Sequence, residues 1–423
     1  MNVVVPLATR IHGPNYYRQL LKPIEEFFQS RNIKVLEVLD SEELIRDDIL
    51  NIIKNSTPIF LILTGGTSRL AWKLMTQSNV RKAIIISHSE HNSLPSAISI
   101  RSRADAEGIP TSVRYCKDLT SSECIKTLEE VVELSSVITN ISNARIAVVS
   151  DSVEDYYSLF ESIYGIKLSL INYEELEGLL KEVKEYEARD YLSNLIPKLR
   201  LSDVGDAQLI NAVRVYLAIK KLIDVGRFNA LAIDCFPFLT KYKLTPCLAV
   251  SLLNDDGVPT ACEADLRSLL IMLIVKSLGS WPVWIANISS ISNNRIILAH
   301  CTIATKLGYN CSLVPHFESS YPYSLTCNIP PGHYTLASID REFTTIATLK
   351  AKLIGSGSLF KTMCRTQAIL ETEVDLSNFA NIALNNHHVL ITGDLRNKIR
   401  DVAYMFGMDF ITYESIIKYL SEV

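Results

Sequence analysis

The opening third of the chain repeats one unit: a short run of β-branched apolar residues, then a stretch whose apolar residues recur at helical spacing. Val3–Leu7 is followed by Tyr16–Gln29 and Lys34–Leu39 by Ser41–Ile53, and Pro58–Leu63 and Ala83–Ser87 continue the series. Strands that are apolar on both faces and separated by helices build a parallel sheet covered on both sides. Ser121–Thr139 reads as a long helix. Arg145–Ser150 opens a second series through Lys167–Asn172, the charged helix Glu174–Tyr186, the helix Ala207–Asp224 and the strand Ala230–Ile233. From about Trp281 the texture changes. Short β-rich runs punctuated by Pro, Gly, Ser and Asn fill Pro282–Val389, which predicts a barrel or sandwich. A helix over Leu395–Met405 and a strand at Phe410–Thr412 close the chain. The expected architecture is α/β: two Rossmann-like parallel-sheet domains, residues 1–142 and 143–280, followed by a β-rich, barrel-like domain over 281–423.

A chain of 423 residues exceeds what one core serves, and roughly two to four domains is the length expectation. Apolar residues make up 48% and charged residues 21%, so every part has enough apolar surface to fold. The formal net charge of −4 argues against a nucleic-acid binder, which carries a basic stripe. No apolar run is long enough to span a bilayer. Met1–Pro6 enters a strand without the basic-then-apolar layout of a signal peptide. A cytoplasmic protein is the expectation. Nine cysteines, none in a CxxC pair, are not a disulfide scaffold, and reduced, buried thiols are expected.

Several polar segments interrupt this frame. Thr64-Gly65-Gly66-Thr67 sits at the carboxyl end of an expected parallel strand, where ligands of open sheets collect; the other reading is a tight turn with Thr67 or Ser68 as helix cap. His88 and His91 precede Asn92-Ser93. These residues either cap the helix Leu94–Ala106 or offer His88 and Asn92 to a sugar. Cys262-Glu263-Ala264-Asp265 places two carboxylates just before the apolar helix Leu266–Leu278, close behind Asp255-Asp256. Such acids stabilise a helix start through its dipole, but four crowded carboxylates are costly unless solvated or bound to a cation. Far downstream, His387 and His388 are adjacent in a strand, so at most one points into a given site. Carboxylate oxygens plus a neutral imidazole are a ligand set for a manganese-type cation. Arg365 and Gln367 supply a cation and an amide that suit sugar hydroxyls, and Asp394 is a candidate outer acid.

Taken in order, Leu63–Thr67, Asn92–Ala97, Asp234-Cys235-Phe236, Pro246–Ala249, Leu253–Gly257, Cys262–Asp265, Ala299–Thr302, His316-Phe317-Glu318, Cys364–Gln367 and Asn386–Val389 resemble the L-fucose isomerase / L-arabinose isomerase superfamily. The resemblance is closest to archaeal fucose isomerase-like proteins and extends over nearly the whole chain. It implies two α/β domains and a β-rich C-terminal domain, assembled as a homo-oligomer such as a trimer or hexamer with sites shared between subunits.

Chemically, the resemblance implies aldose–ketose isomerisation of an open-chain sugar such as L-fucose or arabinose, with Mn2+ or another divalent cation. A cation polarises the carbonyl and acidifies the neighbouring C–H; one carboxylate removes the proton and another group returns it through an enediol. Carried over by position, Glu263 and Asp265 match the family's second acidic position, as metal ligand and proton carrier. His388 is taken as the metal-binding histidine and His300 as a further one. Asp234 stands where the family has its first metal-binding glutamate, one methylene shorter. His387, Arg365, Gln367, His88 and Asn92 are the substrate-binding candidates. The short first acid leaves a second class open, a non-catalytic or regulatory sugar-binding relative.

Overall fold

The computed structural model describes residues 2–195, 199–201 and 206–422. By internal contacts the chain forms two units, Met1–Asn140 with Asp401–Gly407, and Ile141–Arg400 with Met408–Val423.

In the first unit, β1 (Asn2–Leu7), β2 (Lys34–Val35), β3 (Thr57–Ile62), β4 (Ala83–His88) and β5 (Thr111–Cys116) form one parallel sheet in the order β2-β1-β3-β4-β5. Every residue of β3 and β4 is buried, as a sheet flanked by helices on both faces requires. The strand order reverses beside β1, and the carboxyl ends of β1 and β3 meet there. That crevice is filled by the chain's own loops. Thr64 Oγ1 accepts from Thr9 N at 2.8 Å, Thr67 Oγ1 donates to Thr64 O at 3.1 Å, and Gly65 N donates to His91 O at 2.6 Å. A Cβ on Gly65 would sit 2.6 Å from Asn92 Cβ, so the loops touch backbone to backbone.

In the second unit, β6 (Ile146–Val149), β7 (Leu168–Ile171), β9 (Ala230–Ile233) and β10 (Thr260–Cys262) form a parallel sheet ordered β10-β9-β6-β7, and β8 (Arg200–Leu201) lies apart from it. The remaining strands are β11 (Trp284–Ser292), β12 (Arg295–His300), β13 (Tyr309–Val314), β14 (Ser324–Asn328), β15 (Gly332–Ile339), β16 (Thr345–Gly357), β17 (Thr366–Glu371), β18 (His387–Thr392) and β19 (Asp409–Thr412). Antiparallel pairing runs β15-β18-β11-β12-β17-β16 and closes from β16 back to β15. β19 adds in parallel to β16, while β13 and β14 form a small sheet with β8. Closure removes the exposed edges that a sheet of this size would otherwise present. The parallel sheet and the barrel share one core, in which Ala147, Tyr216, Phe238, Trp284, Leu336 and Tyr413 are all buried. Two parallel α/β sheets followed by a closed β-barrel is the architecture expected from the sequence.

The differences are local. The helix expected over Glu174–Tyr186 is two helices, Tyr173–Glu182 and Glu185–Leu195, because Lys184 N is capped by the Glu187 carboxylate at 2.7 Å. A terminal helix, Tyr413–Glu422, follows β19. The expectation that all nine cysteines are reduced is corrected: Cys116 pairs with Cys124 and Cys311 with Cys327. The second pair links β13 to β14, a proximity created by strand pairing that residue spacing does not display.

Candidate active site

β9 and β10 lie side by side with Ile233 paired to Cys262. The residues after them, Asp234 and Glu263 to Asp265, therefore emerge together at the carboxyl edge of the sheet. Glu263 and Ala264 both hold left-handed backbone, φ 56 and 50, at a cost of roughly 1–2 kcal/mol each for non-glycine residues. The turn is held from both sides: Ala264 N donates to Ile233 O at 3.0 Å and Tyr156 Oη donates to Ala264 O at 2.9 Å. Backbone strain held in place in this way clusters at functional sites.

The barrel supplies the imidazoles. Asn287 of β11 pairs with His387 on one side and Ala299 on the other, so His387 and His300 stand at the same end of the barrel. Their ring centroids are 5.6 Å apart. Glu263 Oε1 lies 3.5 Å from His387 Nε2 and 3.9 Å from His300 Nε2. One ligand atom from each of Glu263, His300 and His387 falls within 4.8 Å of the others. His387 Nε2 is buried, and at 3.5 Å from the carboxylate it lacks a well-formed hydrogen bond among the described residues. Two imidazole nitrogens and a carboxylate oxygen suit a divalent first-row cation, and an unpaired buried nitrogen aimed at the group fits that use.

Asp265 orients this arrangement. It is the N-cap of the helix Leu266–Ser277, accepting from Arg267 N and Ser268 N, and Ser268 Oγ donates to it at 2.7 Å. Its Oδ2 accepts a hydrogen bond from His387 Nδ1 at 2.9 Å. A carboxylate behind a histidine fixes the ring and raises its basicity toward a metal. Burial opposes the Asp265 charge, but His387, Arg267 and Ser268 outweigh it and hold the carboxyl well below its usual range. For Glu263 burial is likewise outweighed by His387 and His300, and its pKa is lowered. Burial, with the neighbouring His387 and His316, depresses the His300 imidazole against the opposing pull of Glu263.

Burial would also lower His387, yet Asp265 and Glu263 raise it from 6.5 to about 10. A group whose pKa rises on folding stabilises the fold fully below its unfolded value and loses that contribution as pH climbs through the folded value. The cation-free protein is therefore expected to lose stability between pH 6.5 and about pH 10. Saturating manganese is expected to flatten the slope, because a cation takes the place of the Nε2 proton. Urea midpoints across that range, with and without manganese, measure both effects.

The structure places the other sequence candidates as follows. His388 points to the opposite face of β18, fully buried against Phe379, with Nε2 3.2 Å from Tyr413 Oη. Burial drives its pKa down to about 3. The histidine brought to the acids is His387, not His388, because adjacent strand residues face opposite sides. Asp265 stands behind His387 and not beside His300. Asp234 faces Ser150, whose Oγ donates to it at 3.3 Å, and its carbonyl accepts from Tyr173 Oη at 2.6 Å. Burial, then Glu154 and Glu263, raise its pKa. Asp255 is taken by Thr305 and Lys306, and Asp256 by Tyr216 and Lys220, so the crowd of four acids disperses into separate pairings. Asp394 pairs with Arg396. Arg365 Nε donates to Pro315 O at 2.8 Å, and its guanidinium lies over Phe317. In the first unit, His88 Nε2 donates to Leu63 O at 2.9 Å, and Asn92 adopts left-handed backbone without a side-chain cap bond.

Gln367 is fully buried and its amide is spent on the chain itself. Its Oε1 accepts from Leu359 N and Phe360 N, and its Nε2 donates to Phe360 O and Cys364 O, all between 2.7 and 2.9 Å. Gln367→Ala is expected to destabilise the fold by on the order of 1–3 kcal/mol through the buried groups left unpaired. Faster amide exchange at Leu359 and Phe360 would register it.

A cleft opens onto Glu263 and His300, walled by Phe236, Asn287, His316 and Glu318 among others. Asn287, Tyr156 and Ser268 escaped the sequence reading, since nothing in their local sequence marks them. Their roles come from strand register and from the turn at Ala264.

The chain is similar to curated sulfoquinovose isomerases. It is 24% identical to the one from Clostridium sp. (strain MSTE9) over 217 residues, 48% of each chain. It is 17% identical to that of Alkalicoccus urumqiensis over 305 residues, 68% of this chain and 69% of the relative. A third, from Priestia aryabhattai, is 22% identical over 181 residues, 40% of each. The chain spans about half the length of the Clostridium relative, and the named organisms are bacterial, where the resemblance implied archaeal ones. No family profile matches the chain. Among the described residues no helix is long and apolar enough to cross a membrane.

Proposed function

We propose that this protein is a metal-dependent aldose–ketose isomerase acting on an open-chain sugar, with Mn2+ or another divalent cation held by Glu263, His300 and His387. The observation that carries the reading is the convergence of those three residues, with Asp265 fixing the His387 ring from behind. A bound cation would polarise the sugar carbonyl and acidify the adjacent C–H. Asp265 is committed to a helix cap and an imidazole, so proton movement between the two sugar carbons falls to Glu263 and Asp234. Asp234, whose pKa is raised by burial and neighbouring acids, is the better base of the two near neutral pH. The sugars to try are L-fucose and arabinose, from the resemblance, and sulfoquinovose, from the relatives' names. A cytoplasmic homo-oligomer, trimer or hexamer, belongs to the same reading.

A manganese-supplemented screen of pentoses, hexoses, their deoxy forms and sulfoquinovose, read by ketose formation, tests it. Glu263→Gln is expected to slow the best substrate by about 10²–10⁴-fold. Equal turnover in the variant would remove the proposed site. One observation favours a second reading: Asp234 sits with Ser150 and is not part of the three-residue group. A non-catalytic sugar-binding relative would bind cation and sugar yet yield no ketose from any member of the screen.

A further inference from the structure

All five unpaired cysteines among the described residues, Cys235, Cys247, Cys262, Cys301 and Cys364, line the cleft beside Glu263 and His300. Neither the cation site nor the isomerase reading uses any of them. Two are brought together by strand register. β12 and β17 pair with His300 opposite Thr366, so the next step brings Cys301 level with Arg365 and one residue from Cys364. There both side chains line the same cleft beside His300. Both backbones are anchored. Cys364 O accepts from the buried Gln367 amide at 2.9 Å, and Cys301 O accepts from Ser324 Oγ at 2.8 Å and Leu325 N at 3.1 Å. Cys364 is partly exposed, which gives a small reagent entry to the pair. A second close pair, Cys235 and Cys262, is buried in full and engaged at the strand ends, with Cys235 Sγ contacting Ile233 O and Glu263 N at 3.4 Å.

We propose that Cys301 and Cys364 form a dithiol modification site that small disulfides of the glutathione type convert to an intramolecular disulfide. One protein thiolate attacks a sulfur of the small disulfide, forming a mixed disulfide and expelling one small thiolate. The second protein thiolate then attacks the protein sulfur of that mixed disulfide and expels the other. Two protein thiols are oxidised, one small disulfide is reduced to two thiols, and the two protons end on those released thiols. The bridge forms directly beside His300 and ties the end of β12 to the segment that leads into β17.

Native protein incubated with glutathione disulfide, alkylated, digested and mapped by mass spectrometry is expected to have lost two of its five free thiols and to yield a Cys301–Cys364 linked peptide. That peptide is expected to vanish in Cys364→Ser and to persist in Cys235→Ser. Five thiols still free after the incubation, a glutathione adduct that never resolves, or a Cys235–Cys262 link in its place would each overturn the proposal. The readout is thiol connectivity alone, so it stands or falls independently of any sugar turnover.

Discussion

The His387→Ala variant is expected to lose divalent-cation affinity by more than the roughly 100-fold that a hydrogen-bonding partner of a metal ligand is worth, while His388→Ala keeps that affinity. The two residues are neighbours in β18, yet one ring faces Glu263 and His300 and the other is enclosed by Phe379 and Tyr413. Removing His387 deletes a donor from a group of three. Removing His388 leaves a hole in a packed core, with a stability loss on the order of 2–5 kcal/mol. Calorimetric manganese titration and urea unfolding of both variants separate the outcomes. Equal cation affinity in the two would mean that the barrel face has been misassigned.

Asp265→Ala carries the second large effect. Its carboxylate is 3% exposed and serves the helix cap, Ser268 and His387 together. Taking one partner from a buried ion pair costs on the order of 3–5 kcal/mol, and loss of the cap is part of that sum. Asp265→Asn keeps an N-cap acceptor and is expected to restore most of the stability. It is still expected to weaken cation binding by about 10–100-fold, because the carboxylate behind His387 is gone. Denaturant midpoints and cation affinities of the pair test this split. A stable Asn variant with unchanged affinity would show that Asp265 acts only as a cap.

The parts of this molecule readable from the sequence are those governed by local periodicity. Ala230–Ile233 is a strand at the residues where its apolar run ends, and the helix after Asp265 begins where the acids stop. The acids themselves were legible as a helix start and as a cation site, and Asp265 takes the first role while Glu263 joins the imidazoles. What period-two alternation cannot decide is which of two adjacent histidines faces inward, since that depends on how β18 registers against β11 across about 100 residues of chain. Gln367 and Arg365 have side chains that suit a sugar and equally suit a backbone carbonyl. Burial decides between those uses, and burial is a property of the closed barrel. Cysteine pairing follows the same rule: Cys311 and Cys327 meet only because β13 folds back on β14.

The ring of six strands acts as a gauge. Because the two histidine strands both pair with β11, the gap between the imidazoles is set by strand pairing and not by any connecting loop. Insertions at the rims can remodel what enters the cleft while leaving that gap untouched. One extra residue within Trp284–Ser292 would instead rotate an imidazole to the wrong side of the wall, so tolerance to length change should fall sharply from rim to stave.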